Sequence, residues 1–150
     1  MRLVLIATVV LASIAGASVA QDSPQPAFVY RWERQPAAHD FARRYPNSAH
    51  DVSGAAVMCC SITEDRTLDC TVPFEWPQGS GFAAATLSLS REFRLSEASY
   101  AEVRGTERAR IRRMIRWVMA PGSPELDAAF ARISSQTQAI CEEAEAAPAN

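Results

Sequence analysis

The sequence contains no lysine and only two histidines, and these shortages exclude whole classes of function. All 15 basic residues are arginine, and 17 acidic residues leave a formal charge of -2. This balance gives the chain no overall attraction to nucleic acid or to an anionic membrane. His39 and His50 supply too little material for a histidine-based triad or a multi-histidine metal centre. We therefore expect no enzyme, no catalytic residue, no cofactor, no metal ion and no nucleic-acid partner.

Long hydrophobic runs are missing except at the N-terminus. An uncharged apolar run extends from Leu3 to Ala20 and ends in small residues. This pattern is typical of a secretory signal peptide, residues 1–20, that is cleaved after Ala20. The alternative is an uncleaved anchor, because the run is near the lower limit of what spans ~30 Å of hydrocarbon. We favour cleavage because no basic stop-transfer cluster follows, and we expect membrane contact only if the segment stays uncleaved.

Cysteine is scarce, and no CxxC motif is present. Export to an oxidising compartment and an even number of cysteines predict two disulfide bonds. Two of the cysteines are adjacent, an arrangement that does not lower a thiol pKa as redox enzymes require, so we expect structural bonds. The four cysteines are Cys59, Cys60, Cys70 and Cys141.

Two stretches have the residue composition of β-strands and side chains that alternate between two faces. Residues 53–60 and 68–74 are joined by the polar segment 63–67. This arrangement predicts a hairpin.

Side-chain alternation along this hairpin predicts the pairing of the cysteines. A loop centred on Asp65 places Cys60 opposite Cys70 on one face of the two strands. We therefore predict a Cys60–Cys70 disulfide. Cys59 then points to the opposite face, where Cys141 is its remaining partner.

The rest of the N-terminal half and the segment after the hairpin give weaker patterns. Three prolines in residues 21–40 indicate an extended lead-in, and residues 41–49 indicate a short helix interrupted by Pro46. Residues 82–93 are alanine-rich and predict a helix. Its expected buried stripe is Phe82, Ala85, Leu89 and Phe93.

Residues 107–119 fit both a strand and a helix, and we favour the strand. As a strand they place on one face Ile111, Ile115, Trp117 and Met119. As a helix they group Ile111, Met114, Ile115 and Val118.

A clearer helix follows, with Ser123 as its N-cap and Pro124 in the first turn. It ends near Ala147, and a loose tail is expected beyond it. Its apolar stripe consists of Leu126, Phe130, Ile133, Thr137, Ile140 and Cys141.

Several short motifs follow one another along residues 41–121. The first is Arg44-Tyr45-Pro46 with Ala49. The predicted strands carry Gly54, Val57, Cys60 and Ile62, and then Leu68-Asp69-Cys70, Val72 and Glu75. A glycine turn, Gly79-Ser80-Gly81-Phe82 with the alanines after it, and Phe93-Arg94 come next. In this order the motifs resemble the Tyr-Pro-x-x-Ala entrance, the first two strands, the glycine turn and helix, and the helix end of the C-terminal domain of TonB and its cysteine-bearing relatives.

The resemblance implies an α+β fold, a small three-stranded antiparallel sheet with helices packed on it. Residues 122–150 would add a C-terminal amphipathic helix and a loose tail. Three features depart from the family pattern. The usual Asp-Gly hairpin is Asp65-Arg66 here, a proline-rich charged spacer is missing, and the N-terminal apolar segment has no histidine.

The resemblance also implies a function in the periplasm, or at the inner membrane facing the periplasm if the anchor is retained. The expected role is a protein-interaction module that binds an extended segment of an envelope protein, such as an outer-membrane receptor of TonB-dependent transport, by strand addition. The alternative is a secreted, disulfide-stabilised domain that reuses the fold for ligand binding or envelope scaffolding. Candidate partner-binding residues are Arg110, Arg112, Arg113, Arg116, Tyr45 and Pro46.

Each side-chain cluster also has a purely structural interpretation. The arginines of residues 104–116 form a solvated face that nearby glutamates neutralise in part, and we favour this interpretation over a dedicated site. Trp32, Trp76 and Trp117 are expected to pack in the core and at its rim. The acidic residues Glu64, Asp65 and Asp69 fit a polar turn better than a cation loop.

Overall fold

The computed structural model describes residues 28–49, 51–119 and 122–147. The predicted signal peptide, the lead-in up to residue 27 and the last three residues of the tail lie outside this range. No helix within it is long and apolar enough to cross a membrane. The strands are β1 (Trp32–Arg34), β2 (Gly54–Ile62), β3 (Leu68–Trp76), β4 (Arg94–Leu95) and β5 (Arg110–Trp117). The helices are α1 (Ala38–Arg44), α2 (Phe82–Ser90), α3 (Glu97–Val103) and α4 (Pro124–Ala146), with short 3-10 turns at Asn47–Ala49 and Glu107–Ala109.

The chain folds as α+β with antiparallel sheets. The main sheet has three strands in the order β3-β2-β5, and both neighbours run antiparallel to β2. β2 is the central strand, and its residues 54–60 are buried. The strand preferred for residues 107–119 is confirmed over Arg110–Trp117, whereas Glu107–Ala109 form a 3-10 turn instead. The three-stranded antiparallel sheet is confirmed as well.

Helices cover both faces of this sheet. On the first face, Phe82, Ala85 and Leu89 of α2 pack with Ala56 of β2 and Trp117 of β5. On the second face, α4 contributes Phe130, Ile133 and Cys141 to a core that also contains Ala55, Val57 and Cys59. The predicted C-terminal helix therefore begins where expected, with the Ser123 hydroxyl accepting from the Leu126 N–H, and it covers the second face.

A β-bulge interrupts β3 at Pro73. Val57 pairs with Phe74 and Cys59 with Thr71, so two residues of β3 lie opposite Met58. Proline has no N–H to donate, which is why it is tolerated at such an irregularity. Because of the extra residue, the side chains of β3 after the bulge point to the opposite faces from those that an uninterrupted strand would give them. Val72 packs on the first face and Phe74 on the second.

Both predicted disulfides are present. Cys60 bonds to Cys70 across the β2–β3 hairpin, where the two residues are directly paired. Cys59 points to the second face and bonds to Cys141 of α4. These bonds indicate an oxidising extracellular or periplasmic environment.

Three predictions about local structure were wrong. Residues 21–40 are not purely an extended lead-in, because β1 pairs with β4 and α1 begins at Ala38. The helix predicted over 82–93 ends at Ser90, and Phe93 packs beside Trp32 instead. Met119 lies beyond β5 and is 55% exposed, so it is not part of the buried face. Helix α3, capped by Ser96, has no counterpart in the sequence-based prediction.

Candidate functional site

β5 forms an open edge of the main sheet. Among the described residues it pairs with β2 on one side, and no strand pairs with it on the other. Its outer N–H and C=O groups can therefore pair with an added strand. The opposite edge, β3, is a poorer template because Pro73 removes a donor and the bulge disturbs the ladder. β5 is eight residues long and contains no proline.

A groove of about 580 Å³ runs between the β5 edge and α4. Its apolar lining comes from Met114 of β5 and from Phe130 and Ala131 of α4. The rest of the lining is polar or charged: Arg112, Arg113 and Arg116 of β5, and Asp127, Ser134 and Thr137 of α4. The groove exists because α4 lies across the sheet face and its exposed flank projects beside β5. A strand added to β5 would direct every second side chain into this groove.

Two of the four candidate arginines on β5 are held by glutamates of α4. Arg112 is 17% exposed, and its Nη2 lies 3.2 Å from Glu145 Oε2. Arg110 lies 3.6 Å from the same carboxylate and 3.6 Å from Glu107. The structural interpretation of the arginines, a solvated face that glutamates neutralise in part, therefore applies to these two residues. Such partly exposed pairs contribute little stability each.

The other two arginines have no carboxylate within ion-pair distance in the described part of the chain. The guanidinium of Arg116 lies over the Phe130 ring, 5.6 Å from its centroid, on the α4 side of β5. Arg113 is exposed and, by alternation, lies on the first face. The hydroxyl of Tyr30 is its neighbour there. Burial raises the pKa of Tyr30, while the positive charges of Arg113 and Arg108 act to lower it.

Tyr45 and Pro46 lie apart from this edge. The Tyr45 ring packs edge-on against Phe82 and Trp117, and its hydroxyl donates to the Val52 carbonyl. Burial, followed by the charge of Asp51, raises the pKa of Tyr45. Pro46 lies against the turn that contains Gly81. The structure thus brings four of the candidates together on β5, whereas Tyr45 and Pro46 belong to the packing of the first face.

The three tryptophans occupy different clusters. Trp32 packs on Phe93, Trp76 on Phe130, and Trp117 stacks on Phe82. The indole N–H of Trp117 donates to the buried Thr86 hydroxyl at 2.9 Å. Within the described ranges, no group of three or more histidine, cysteine, aspartate or glutamate side chains could hold a metal ion.

The sequence did not reveal the groove, because Ala131, Ser134 and Asp127 are small or polar residues on the flank of an amphipathic helix. The only signal in the sequence was the apolar stripe of α4 beside these residues. This stripe determines which flank of the helix faces β5. Chemically, the arrangement can hydrogen-bond an extended main chain and hold its side chains between apolar and cationic surfaces. No family model, no curated protein and no solved structure matches the chain.

Proposed function

We propose that this chain is a periplasmic protein-interaction module of the TonB C-terminal type. It binds an extended segment of an outer-membrane or envelope protein, which adds as a fourth strand to the outer edge of β5. The observation that carries the proposal is the outer edge of β5, with which no strand of the described residues pairs, beside the groove of α4. The antiparallel three-stranded sheet and the two disulfides agree with this assignment.

Strand addition derives its affinity mainly from the main chain. Each hydrogen bond formed with β5 contributes a net 0.5–1.5 kcal/mol, roughly, so several are needed for useful binding. Specificity then comes from pockets that accept alternate side chains. The α4 groove provides such pockets along Met114, and the charged rim of Arg113 and Arg116 provides a second contribution.

Helix α4 does not block this mechanism. It covers the second face of the sheet through Phe130, Ile133 and Cys141, whose side chains pack on β2. It forms no main-chain ladder with β5, because a helix satisfies its own N–H and C=O groups. A face-covering helix and an added strand therefore occupy different parts of the sheet.

A pair of proline variants tests the proposal. Successive residues of a strand direct their main-chain groups toward opposite neighbours, so one of Arg113 and Met114 points its N–H at β2 and the other outward. We expect one of Arg113→Pro and Met114→Pro to lose its fold, because it breaks the ladder with β2. The other should keep its melting temperature and lose partner binding.

The binding measurement uses the oxidised chain, residues 21–150, as bait in envelope extract. We expect a protein that the wild type retains and the folded proline variant does not. Amide hydrogen exchange should then show slower exchange at alternate residues of β5 in the complex. A partner that the folded proline variant still binds, with unchanged exchange in β5, contradicts strand addition and favours the ligand-binding or scaffolding alternative.

A further inference from the structure

A recess of about 520 Å³ opens at the outer edge of β5, around the first half of the strand. Residues 110–113 of β5 line it, together with Glu107 and Arg108 of the preceding 3-10 turn, Tyr30, and Gln138 of α4. Four of these eight residues are arginines and one is an acid. Because a guanidinium group has only N–H donors and a fixed positive charge, the lining is rich in donors and poor in acceptors.

Two of the four arginines already have acidic neighbours. Arg110 lies 3.6 Å from Glu107 and 3.6 Å from Glu145. Arg112 lies 3.2 Å from Glu145, yet its Nε is buried and has no hydrogen-bond partner among the described residues. The side chain of Glu107 is 85% exposed, so its carboxylate stands mostly in solvent and leaves the recess open. These carboxylates neutralise only part of the positive charge.

The other two arginines, Arg108 and Arg113, have no carboxylate at ion-pair distance in the described ranges. Arg108 is nevertheless held in place. Its guanidinium lies over the Phe28 ring, 5.2 Å from the centroid, and the Tyr30 hydroxyl donates to its carbonyl at 2.8 Å. A guanidinium stacked on a ring keeps its in-plane N–H groups free for a ligand. Arg108 is therefore positioned without being neutralised.

Arg113 approaches the same hydroxyl from β5. Alternation along the strand places it on the first face, where Tyr30 lies. Burial raises the pKa of Tyr30, while the positive charges of Arg113 and Arg108 act to lower it, so both cations lie near the hydroxyl. Two like charges held close together repel each other, and an anion bound between them relieves that repulsion.

We propose that this recess binds a phosphate group through Arg108 and Arg113. A tetrahedral phosphate has enough oxygens for two guanidinium forks, whereas a carboxylate has two oxygens and satisfies one fork. The ligand is a phosphate monoester, carried either by a small soluble molecule or by the headgroup of an envelope lipid. This site goes beyond the proposed function and does not depend on it, because it uses side-chain donors and no main-chain group of β5.

The test titrates the oxidised chain, residues 21–150, with inorganic phosphate and with glycerol phosphate at constant ionic strength. Amide and arginine Nε–H resonances are followed by NMR, and we expect saturable shifts at Tyr30 and residues 107–113. Acetate, the carboxylate probe, should bind at least about fivefold more weakly, because it occupies one guanidinium fork. Acetate that binds as tightly as phosphate overturns the assignment to phosphate, and shifts that do not saturate overturn the site.

Single substitutions locate the site. Arg108→Gln and Arg113→Gln should each weaken phosphate binding about fivefold or more, because each removes one charged fork. Arg116→Gln is the matched control, since Arg116 is also on β5 and without a carboxylate partner in the described residues but does not line the recess. It should change binding less than about twofold, because an exposed charge outside the site is screened. Glu107→Gln should tighten binding, since it removes the acid from the lining. Equal losses in Arg113→Gln and Arg116→Gln overturn the inference, because they show a diffuse effect of charge.

Vesicles distinguish the two sources of the phosphate. Neutral phosphatidylcholine vesicles are compared with vesicles that also contain phosphatidic acid, whose headgroup is a phosphate monoester. Sedimentation with the second kind alone, lost in Arg113→Gln and kept in Arg116→Gln, assigns the site to a lipid headgroup. Saturable binding of glycerol phosphate without vesicle binding assigns it to a soluble ligand. Vesicle binding that Arg116→Gln weakens as much as Arg113→Gln is non-specific attraction and overturns the site.

Discussion

At the residue scale, Gly54 shows how one missing side chain sets the geometry at the start of β2. A Cβ at this position would overlap the carbonyl oxygen of Trp76 and the ring of Phe82. Neither neighbour can move easily, because the carbonyl belongs to β3 and the Phe82 ring is fully buried. The close approach of α2 to the sheet therefore depends on glycine here.

We expect Gly54→Ala to destabilise the fold by about 3 kcal/mol, the upper end of what overpacking a core costs. Gly105→Ala is the comparison, because Gly105 has a φ of +74° but a Cβ there would meet nothing within 4 Å. Backbone strain alone should cost roughly 1–2 kcal/mol at that site. Urea unfolding of both variants gives the two values, and a larger loss for Gly105→Ala would contradict the packing argument.

Asp40 makes a pH-dependent contribution near the start of α1. The N–H of Ala37 donates to its carboxylate at 2.9 Å, and Arg43 donates at 2.6 Å. These two hydrogen bonds, the Ala37 bond first, lower the pKa of Asp40 below its ordinary value. A carboxyl group with a lowered pKa in the folded state stabilises the fold above its unfolded pKa of about 4, and this contribution is lost as the pH falls through the folded value.

We therefore expect Asp40→Asn to melt below the wild type at neutral pH. The gap in melting temperature should close as the pH falls below about 4, because the wild-type carboxyl then becomes neutral as well. Thermal unfolding at a series of pH values measures this. A gap that stays constant across the acid range would mean that the charge of Asp40 does not contribute.

At the element scale, the success of sequence-based prediction followed the length of each element. Alternation over β2 and β3 gave the hairpin and placed Cys60 opposite Cys70, because a period of two fixes both face and register. The N-cap residue Ser123 and the apolar stripe of α4 predicted equally well where this helix begins and which of its faces is buried. By contrast, β1 and β4 span three and two residues, too few for any period, and they are held by pairing with each other.

The candidate site was only partly predictable for a related reason. The arginines of β5 are visible in the sequence, but their environment depends on where α4 lies. Arg112 is paired with Glu145, which is 33 residues away, and Arg113 is left unpaired within the described residues. Tyr45 was proposed from a motif, and its ring packs against Trp117 on the first face, away from β5's outer edge. No local pattern distinguishes these cases, because each depends on a tertiary contact.

The packing of α4 leads to a prediction for this element. Ile133 is 5% exposed and packs on the second face of the sheet. We expect Ile133→Ala to cost about 2–5 kcal/mol through lost burial and the cavity that remains. Gln136→Ala, at an exposed position of the same helix, should stay within about 0.5 kcal/mol of the wild type. If both variants unfold at the wild-type denaturant concentration, α4 is a dispensable appendage and not part of the core.

At the scale of the whole molecule, the chain is a sheet covered by helices on both faces, and its disulfides need an oxidising compartment to form. The predicted signal peptide, residues 1–20, would provide the route. We expect the exported protein to begin at Gln21 and to be recovered from the periplasm without detergent. Intact-mass measurement of the purified protein checks the cleavage site. Full-length mass together with membrane retention would instead support the anchored alternative.

The two disulfides should differ in what they contribute to this architecture. Cys59–Cys141 joins residues 82 apart and ties α4 to the central strand, whereas Cys60–Cys70 joins residues 10 apart within one hairpin. In the chain-entropy model the longer loop contributes about 4.5 kcal/mol and the shorter about 2.8 kcal/mol.

Replacing Cys59 and Cys141 by alanine should therefore lower the free energy of unfolding more than replacing Cys60 and Cys70. It should also speed amide exchange in the C-terminal half of α4, because that end of the helix loses its covalent link to β2. Denaturant unfolding of the two double variants measures the first effect and hydrogen exchange the second. If the hairpin variant is the less stable of the two, the sheet depends on its local cross-link more than on the covalent attachment of α4, and α4 is held mainly by apolar packing.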